Sequence, residues 1–335
     1  MNDQINEWLI LTDETKSNIF SEVSNKIGLP PAAVEKDWWV VHTLRVVFSL
    51  KFAEHLVFKG GTSLSKAWNI IKRFSEDVDL VLNREFIGFK GELSKSQVKR
   101  LRETSCKFIC DDFLKELTKS FKDTGLNISG IDVIERNADD TDPIKIEVRY
   151  KSLFDVNSYL QNRVLIEIGS RSLIDPFTNR SFSSFVGEIF NGKPFADMPL
   201  TIPVVNPERT LLEKIFLLHE EFQKETGKIN VEHMSRHHYD IIQLMAAKYG
   251  EIAFNDANLF DTIVQHRKQI NFLNYVDYSK HSRGSINIIP PKEILSEWEK
   301  DYNQMIESMI YGDKPSFQDL MKEIENTNSF INNIT

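Results

Sequence analysis

The stretch from Lys59 to Leu82, KGGTSLSKAWNIIKRFSEDVDLVL, decides the fold. Leu56, Val57 and Phe58 ahead of it form a short β-prone run that stops at Gly60-Gly61, where a backbone without side chains can turn tightly and approach a ligand. Thr62 is then expected to cap a helix, because Leu64, Ala67, Trp68 and Ile71 recur behind it at helical spacing. Free N–H groups and the positive end of a helix dipole directly after two glycines suit a phosphate. Asp77 to Leu82 reads as a strand. Alternation sends Asp77 and Asp79 to one side and Val78 and Leu80 to the core. Two carboxylates side by side repel unless a cation lies between them, and Mg²⁺, which takes one or two carboxylates plus substrate phosphates, is the natural occupant.

The chain has 335 residues, 41% apolar and 27% charged, which places it among ordinary globular proteins of one large or two moderate domains. No run of about 18 apolar residues suggests a membrane span. The N-terminus, MNDQINEWLILTDETK, lacks the basic region and cleavage site of a signal peptide, so a cytoplasmic location is expected. Cys106 and Cys110, four apart in a helical pattern, have no further metal ligands nearby and read as reduced structural thiols. A net charge of −8 argues against an indiscriminately basic nucleic-acid binder. The local basic clusters, Lys95-Lys99-Arg100-Arg102 and Arg267-Lys268, read first as solvated helix faces.

Residues 1 to 50 read as helical, with Pro30-Pro31 separating Ile19 to Ile27 from Ala32 to Leu50. In the second helix Trp38, Val41, Leu44, Val47 and Phe48 make a broad apolar stripe. Trp38 and Trp39 are therefore expected in the core, His42 at its edge, and Lys36 and Asp37 on the helix surface. Ser94 to Phe121 predicts a long helix ending near Gly125. Ile144 to Tyr150 and Val164 to Ile168 predict strands that neighbour each other despite the long connection between them. Glu147 and Glu167 on these strands are both candidates for a third carboxylate. Glu167 is preferred, because the polar turn Gly169-Ser170-Arg171 behind it can reach the same pocket.

Thr201 to Pro207 is extended and proline-marked, which sets a boundary between a first domain, 1–200, and a helical domain, 201–335. Helical patterns follow over Glu208 to Phe222, Val231 to Tyr249, Phe254 to Arg267, Lys292 to Tyr311 and Phe317 to Ile324. The final NTNSFINNIT is polar enough to fray. In the first of these helices Lys214 falls on the apolar face between Leu211 and Leu218, so it either snorkels or meets an anion. His237 and His238 are adjacent and share no helix face, which disfavours a zinc pair. Asp240 is either an orienting partner for Lys214 or an ordinary acid of a first turn.

Lys59-Gly60-Gly61-Thr62-Ser63-Leu64 together with Arg73-Phe74-Ser75-Glu76-Asp77-Val78-Asp79-Leu80 strongly resembles the AbiEii/AbiGii toxin family of nucleotidyltransferases. More distantly the pattern is similar to the polymerase-beta-like transferases, with their glycine turn, helix and Asp-x-Asp pair. Glu35-Lys36-Asp37-Trp38-Trp39 resembles the family's upstream helix, and Glu167 with Arg171 its later strand. Glu213-Lys214 and Tyr239-Asp240 resemble its lysine and aspartate elements, and Asp301-Tyr302 with Met305 its C-terminal helix. The resemblance covers most of residues 32 to 325, with an insertion around 84–140 that bears on the acceptor site.

The resemblance implies an α+β fold, a mixed-sheet nucleotidyltransferase core with an N-terminal helical segment and a mainly helical C-terminal domain. It also implies a type IV-like toxin, encoded beside an antitoxin, that transfers a nucleotide from an NTP, with the 3′ end of tRNA as acceptor. On that reading Asp77 and Asp79 hold Mg²⁺, and Lys59, Gly60, Gly61, Thr62 and Ser75 line the nucleotide's phosphates. Glu167 assists the metal or draws the proton, Lys214 neutralises the triphosphate, and Asp240 positions it or the acceptor. A protein side chain as acceptor, and an NTP-binding module without turnover, are the alternatives.

Overall fold

The computed structural model describes residues 3–155 and 161–334, so part of the long connection ahead of the Val164 strand, residues 156–160, lies outside the described residues. Two compact units emerge, Met1–Ala67 with Phe74–Val205 and Trp68–Arg73 with Asn206–Thr335.

The first unit carries the sheet. Its strands are β1 (Leu56–Lys59), β2 (Asp77–Leu82), β3 (Ile128–Ile134), β4 (Ile144–Tyr150), β5 (Arg163–Gly169), β6 (Phe177–Phe182) and β7 (Leu200–Val205). They form one mixed seven-stranded sheet in the order β3-β4-β5-β2-β1-β7-β6. β2 runs parallel to β5 and β1 parallel to β7, and the other neighbours are antiparallel. The α+β class with a mixed sheet is the one expected. β4 and β5 are adjacent as anticipated, and each alternates a buried apolar residue with a half-exposed polar or apolar one. Strands β3 and β6 escape sequence reading because they are the sheet's two edges. An edge strand has one neighbour and tolerates the glycine and acid of ISGIDVI or the polar FTNRSF. β7 was expected only as an extended boundary, yet it pairs with β1 through Phe58 and Val204.

The Pro31–Val47 helix of this unit is buried along nearly its whole length. Trp38 and Trp39 are core residues as expected. Trp38 stacks on Trp8 at 4.8 Å and Trp39 on Tyr150 at 4.7 Å between ring centroids. His42 is fully inside, and burial pushes its pKa down to about 4, so it is a neutral core residue. Lys36 and Asp37, expected at the helix surface, are buried as well. The Ser94 expectation holds: its hydroxyl and Gln97 form a reciprocal cap on Lys95–Phe108. That run continues through a π-turn at Ile109–Phe113 into Leu114–Thr124, where Gly125 ends it in the left-handed conformation. Cys106 and Cys110 in this run are free thiols. Burial, with Cys106 beside it, pushes the Cys110 thiol up to about 11.

The second unit is helical, with Pro207–Glu221, Ser235–Ala246, Tyr249–Asn255, Ala257–His266, Leu295–Ser308 and Phe317–Asn333 as its α-helices. Its core includes the fully buried Phe216, Tyr239, Phe254, Trp298 and Tyr302. His238 donates from Nε2 to the Ile288 carbonyl at 2.8 Å, while its Nδ1 accepts from Trp298 at 3.0 Å, which makes it a satisfied core imidazole rather than a ligand. Asp301 accepts from the backbone of His233 and Ser235 and from the Ser235 hydroxyl, at the start of the Ser235–Ala246 helix. The stretch expected to fray is instead helical through Asn333. Ile324, Thr327 and Ile331 bury one face of the last helix, and the side chains of Asn328 and Asn332 satisfy the backbone of Ile288 and Ile286. Among the described residues no helix is long and apolar enough to cross a membrane.

Candidate active site

In the first unit the chain leaves β1 at Lys59 and enters a short helix, Gly60–Lys66, with no loop between. Gly60 makes this possible with a φ of +81°, a conformation that costs glycine little. Thr62 is thus not the cap but lies inside the helix, and Lys59 is the capping residue. The helix also stops at Lys66, leaving Trp68 and Ile71 beyond it. The Thr62 hydroxyl donates to the Asp77 carbonyl at 2.5 Å and lies 3.0 Å from Ser75 Oγ, so the glycine helix is tied to the start of β2. Lys59 stands opposite Asp79 in the antiparallel pairing and donates to Ser172 Oγ at 2.9 Å. The Ser170-Arg171 turn expected at this pocket is instead tied to Asp142, through the backbone N–H and hydroxyl of Ser170 and through Arg171 Nε.

Asp77 and Asp79 share the half-exposed face of β2, while Val78 and Leu80 are buried behind them. Across the parallel pairing with β5, Asp79 stands directly beside Glu167 and Asp77 beside Leu165. Gly60 presses on this face from the other side: a Cβ there would meet Asp79 Oδ2 at 1.9 Å. Glu147 lies one strand further out, opposite Leu165, where Arg149 and Arg163 both pair with it. The structure therefore brings Glu167, not Glu147, to Asp79. Lys145 on β4, opposite Glu167 and 3.8 Å from its carboxylate, adds a cation to the same face that sequence reading missed.

Among the described residues no cluster of three or more His, Cys, Asp or Glu side chains is arranged to hold a metal. The donors on this face, Asp77 and Asp79 with Glu167 alongside, are all hard oxygens on half-exposed side chains. That donor set fits Mg²⁺, which keeps several positions for water or phosphate oxygens.

The second unit holds the other two candidates. Lys214 lies on the buried face of Pro207–Glu221, and the anion it meets is Asp240, 2.9 Å away. Asp240 is fully buried and accepts two further bonds from Arg73, at 2.7 and 2.8 Å from Nε and Nη2. Burial alone would raise the Asp240 pKa, but Arg73 and Lys214 outweigh it and hold the carboxyl well below its usual range. Burial lowers the Lys214 pKa, Asp240 opposing and Arg73 adding to the effect. Burial and the nearby Lys214 push His237 well down too, and its Nδ1 lies 3.4 Å from Lys214 Nζ. Sequence reasoning assigns Arg73 no role. Its position between Ile71 and Phe74, both buried, was the available signal. The neighbouring backbone is held as well: Arg73 bridges Ile310, and Lys72 O accepts from Tyr311 N at 3.1 Å.

Of the basic clusters, Arg267 is taken by Glu220, which also accepts from His281 at 3.0 Å. Arg102 pairs with Asp140 and Lys99 with Glu103.

Among solved structures the chain is similar to MenT4, a nucleotidyltransferase toxin of Mycobacterium tuberculosis H37Rv, with 16% identity, a TM-score of 0.49 and coverage of 97% of this chain and 91% of that one. It is also similar to JHP933 of Helicobacter pylori, with 14% identity, a TM-score of 0.44 and coverage of 91% and 93%. None of the curated proteins matches it. The family described as nucleotidyl transferase AbiEii toxin, type IV toxin–antitoxin system, matches over residues 45–323, bearing out the resemblance read from the glycine and aspartate motifs. The chain belongs to this family of nucleotidyltransferase toxins.

Proposed function

We propose that the protein transfers a nucleoside monophosphate from an NTP, in a Mg²⁺-dependent reaction, to the 3′ acceptor end of tRNA, and that a cognate antitoxin counters it in the cytoplasm. The observation that carries this reading is the register that sets Asp79 beside Glu167, with Gly60 packed against the same carboxylate. Asp77 and Asp79 would hold the metal, which would supply charge stabilisation to the phosphates; pyrophosphate is the leaving group. Glu167 takes the proton of the acceptor hydroxyl as its oxygen bonds to the α-phosphorus. Gly60 and Gly61 admit the triphosphate close to the backbone, beside Lys59 and Ser75, while Thr62 fixes the Asp77 end of β2. Lys214 is the cation assigned to the triphosphate, and Asp240 fixes its ammonium. Three residues of chain separate Arg73, the other partner of Asp240, from Asp77.

The test is incubation of the purified protein with Mg²⁺, each labelled NTP in turn and total tRNA. Label is expected in the RNA fraction, lost in Asp79→Ala. No incorporation with any nucleotide, or unchanged incorporation in that variant, overturns the reading. A protein acceptor is the second reading, favoured by the net charge of −8, which attracts no polyanion overall. Label found wholly in the protein fraction selects it.

A further inference from the structure

Three consecutive charged residues of the Pro31–Val47 helix, Glu35, Lys36 and Asp37, are only 2, 2 and 4% exposed. Successive residues of an α-helix point about 100° apart, so three in a row fan over more than half its circumference. Each meets a different segment of the first unit. Glu35 accepts from Leu153 N at 3.0 Å and from the Ser152 hydroxyl, just past the end of β4. Asp37 accepts from Phe185 N at 2.7 Å and pairs at 2.9 Å with Lys66, the last residue of the glycine helix. Lys36 pairs with Glu76 at 2.5 Å and donates to the Gln161 carbonyl at 2.9 Å.

Glu76 is the residue before β2, and Gln161 lies two residues before β5. Those two strands are parallel neighbours, and no short turn joins them to set their alignment. A slip of one residue would reverse the faces and remove Asp79 from Glu167. A buried ion pair adds little stability over apolar packing of the same volume, and its best-attested use is to specify register.

We propose that Lys36 is a positioning residue that grips the entrances of β2 and β5 together and so fixes Asp77 and Asp79 relative to Glu167, with Glu35 and Asp37 anchoring the same helix to the end of β4 and to the glycine helix. The catalytic consequence rests on the nucleotidyl-transfer reading above; the structural one does not.

The full chain is compared with Lys36→Met, Lys36→Arg and Glu76→Gln by hydrogen exchange over residues 76–82 and 161–169 and by steady-state transfer of labelled nucleotide. In Lys36→Met these two segments are expected to exchange about tenfold faster, in excess of the rest of the unit. The kcat is expected to fall about tenfold with the NTP KM within about threefold of wild type, because the loss is in alignment rather than in binding. Lys36→Arg restores most of both. Should Lys36→Met fail to fold, Glu76→Gln, altered at a half-exposed side chain, decides by the same two readouts. Unchanged exchange in both segments, or an acceleration uniform across the unit, overturns the brace. A wild-type chain that transfers no nucleotide, with the local exchange effect intact, overturns the enzymatic reading and supports the brace.

Discussion

A Cβ placed on Gly60 would lie 1.9 Å from Oδ2 of Asp79. No heavy atom fits at that separation, so any side chain at residue 60 must displace the carboxylate. The φ of +81° adds backbone strain of about 1–3 kcal/mol for a residue other than glycine. Gly60→Ala is therefore expected to lose transfer activity by about 100-fold or more, a loss out of proportion to its effect on stability. Urea unfolding beside the labelled-nucleotide assay separates the two. Activity within about threefold of wild type would show that the close approach of Gly60 to Asp79 has no bearing on the reaction.

Glu167 and Glu147 offer a matched pair of substitutions. Glu167 stands beside Asp79, whereas Glu147 is held by Arg149 and Arg163. Glu167→Gln keeps the shape and removes the base, which general-base chemistry puts at a loss of about 10²- to 10⁴-fold in kcat. Glu147→Gln should leave kcat near wild type and lower the melting temperature instead, because Arg163 and Arg149 each lose a carboxylate partner, Arg149 keeping Asp132. Equal kcat losses in the two variants would refute the assignment of Glu167.

The strand bearing Asp77 and Asp79 was legible to the residue, because acids alternating with Val78 and Leu80 leave one reading of the faces. Its neighbours were legible only where both strand faces are specified, as in β4 and β5. The edges β3 and β6 carry too little burial to leave a pattern. Thr62 reads as a cap because a Ser or Thr after glycines resembles one, whereas the positive φ of Gly60 lets the helix begin three residues earlier, with Lys59 as its cap. Lys36 and Asp37 read as surface residues by their charge alone, yet Glu35, Lys36 and Asp37 are consecutive and apolar residues surround them, so the helix has no continuous polar stripe to turn to solvent. The last helix carries Ile324, Thr327 and Ile331 at spacings of three and four, a signal masked by the asparagines between them. Arg73 with Asp240, 167 residues apart, is a long-range pairing that no local pattern reveals.

Asp240 ties acid stability to the ion triad of the second unit. Its folded pKa is depressed below the ordinary 3.8, so the stability it contributes is present above about pH 4 and is lost as pH falls toward the folded value. Asp240→Asn removes the buried carboxylate that Arg73 and Lys214 share, at a cost of about 3–5 kcal/mol at neutral pH. Urea unfolding at pH 7 and at pH 3 should show the gap between wild type and variant narrowing in acid. A gap that stays constant or widens would contradict the charged state of Asp240 in the fold.

Lys214 sets an alkaline limit on the reaction if its ammonium neutralises the triphosphate. Burial brings its pKa below the ordinary 10.5, with Asp240 only partly opposing, so it loses its proton at a lower pH than a solvated lysine. His237, itself neutral at pH 7 because burial and Lys214 disfavour its cation, can accept from that ammonium but supplies no replacement charge. The profile of kcat/KM against pH is then expected to fall on the alkaline side before pH 10.5, as Lys214 becomes neutral. Lys214→Arg keeps a cation at all accessible pH, so its alkaline fall should move upward, even if the planar guanidinium lowers activity about tenfold at pH 7. Lys214→Met should lose about 100-fold and show no such limb. Superimposable alkaline limbs in wild type and Lys214→Arg would remove Lys214 from the reaction and leave it as the structural partner of Asp240.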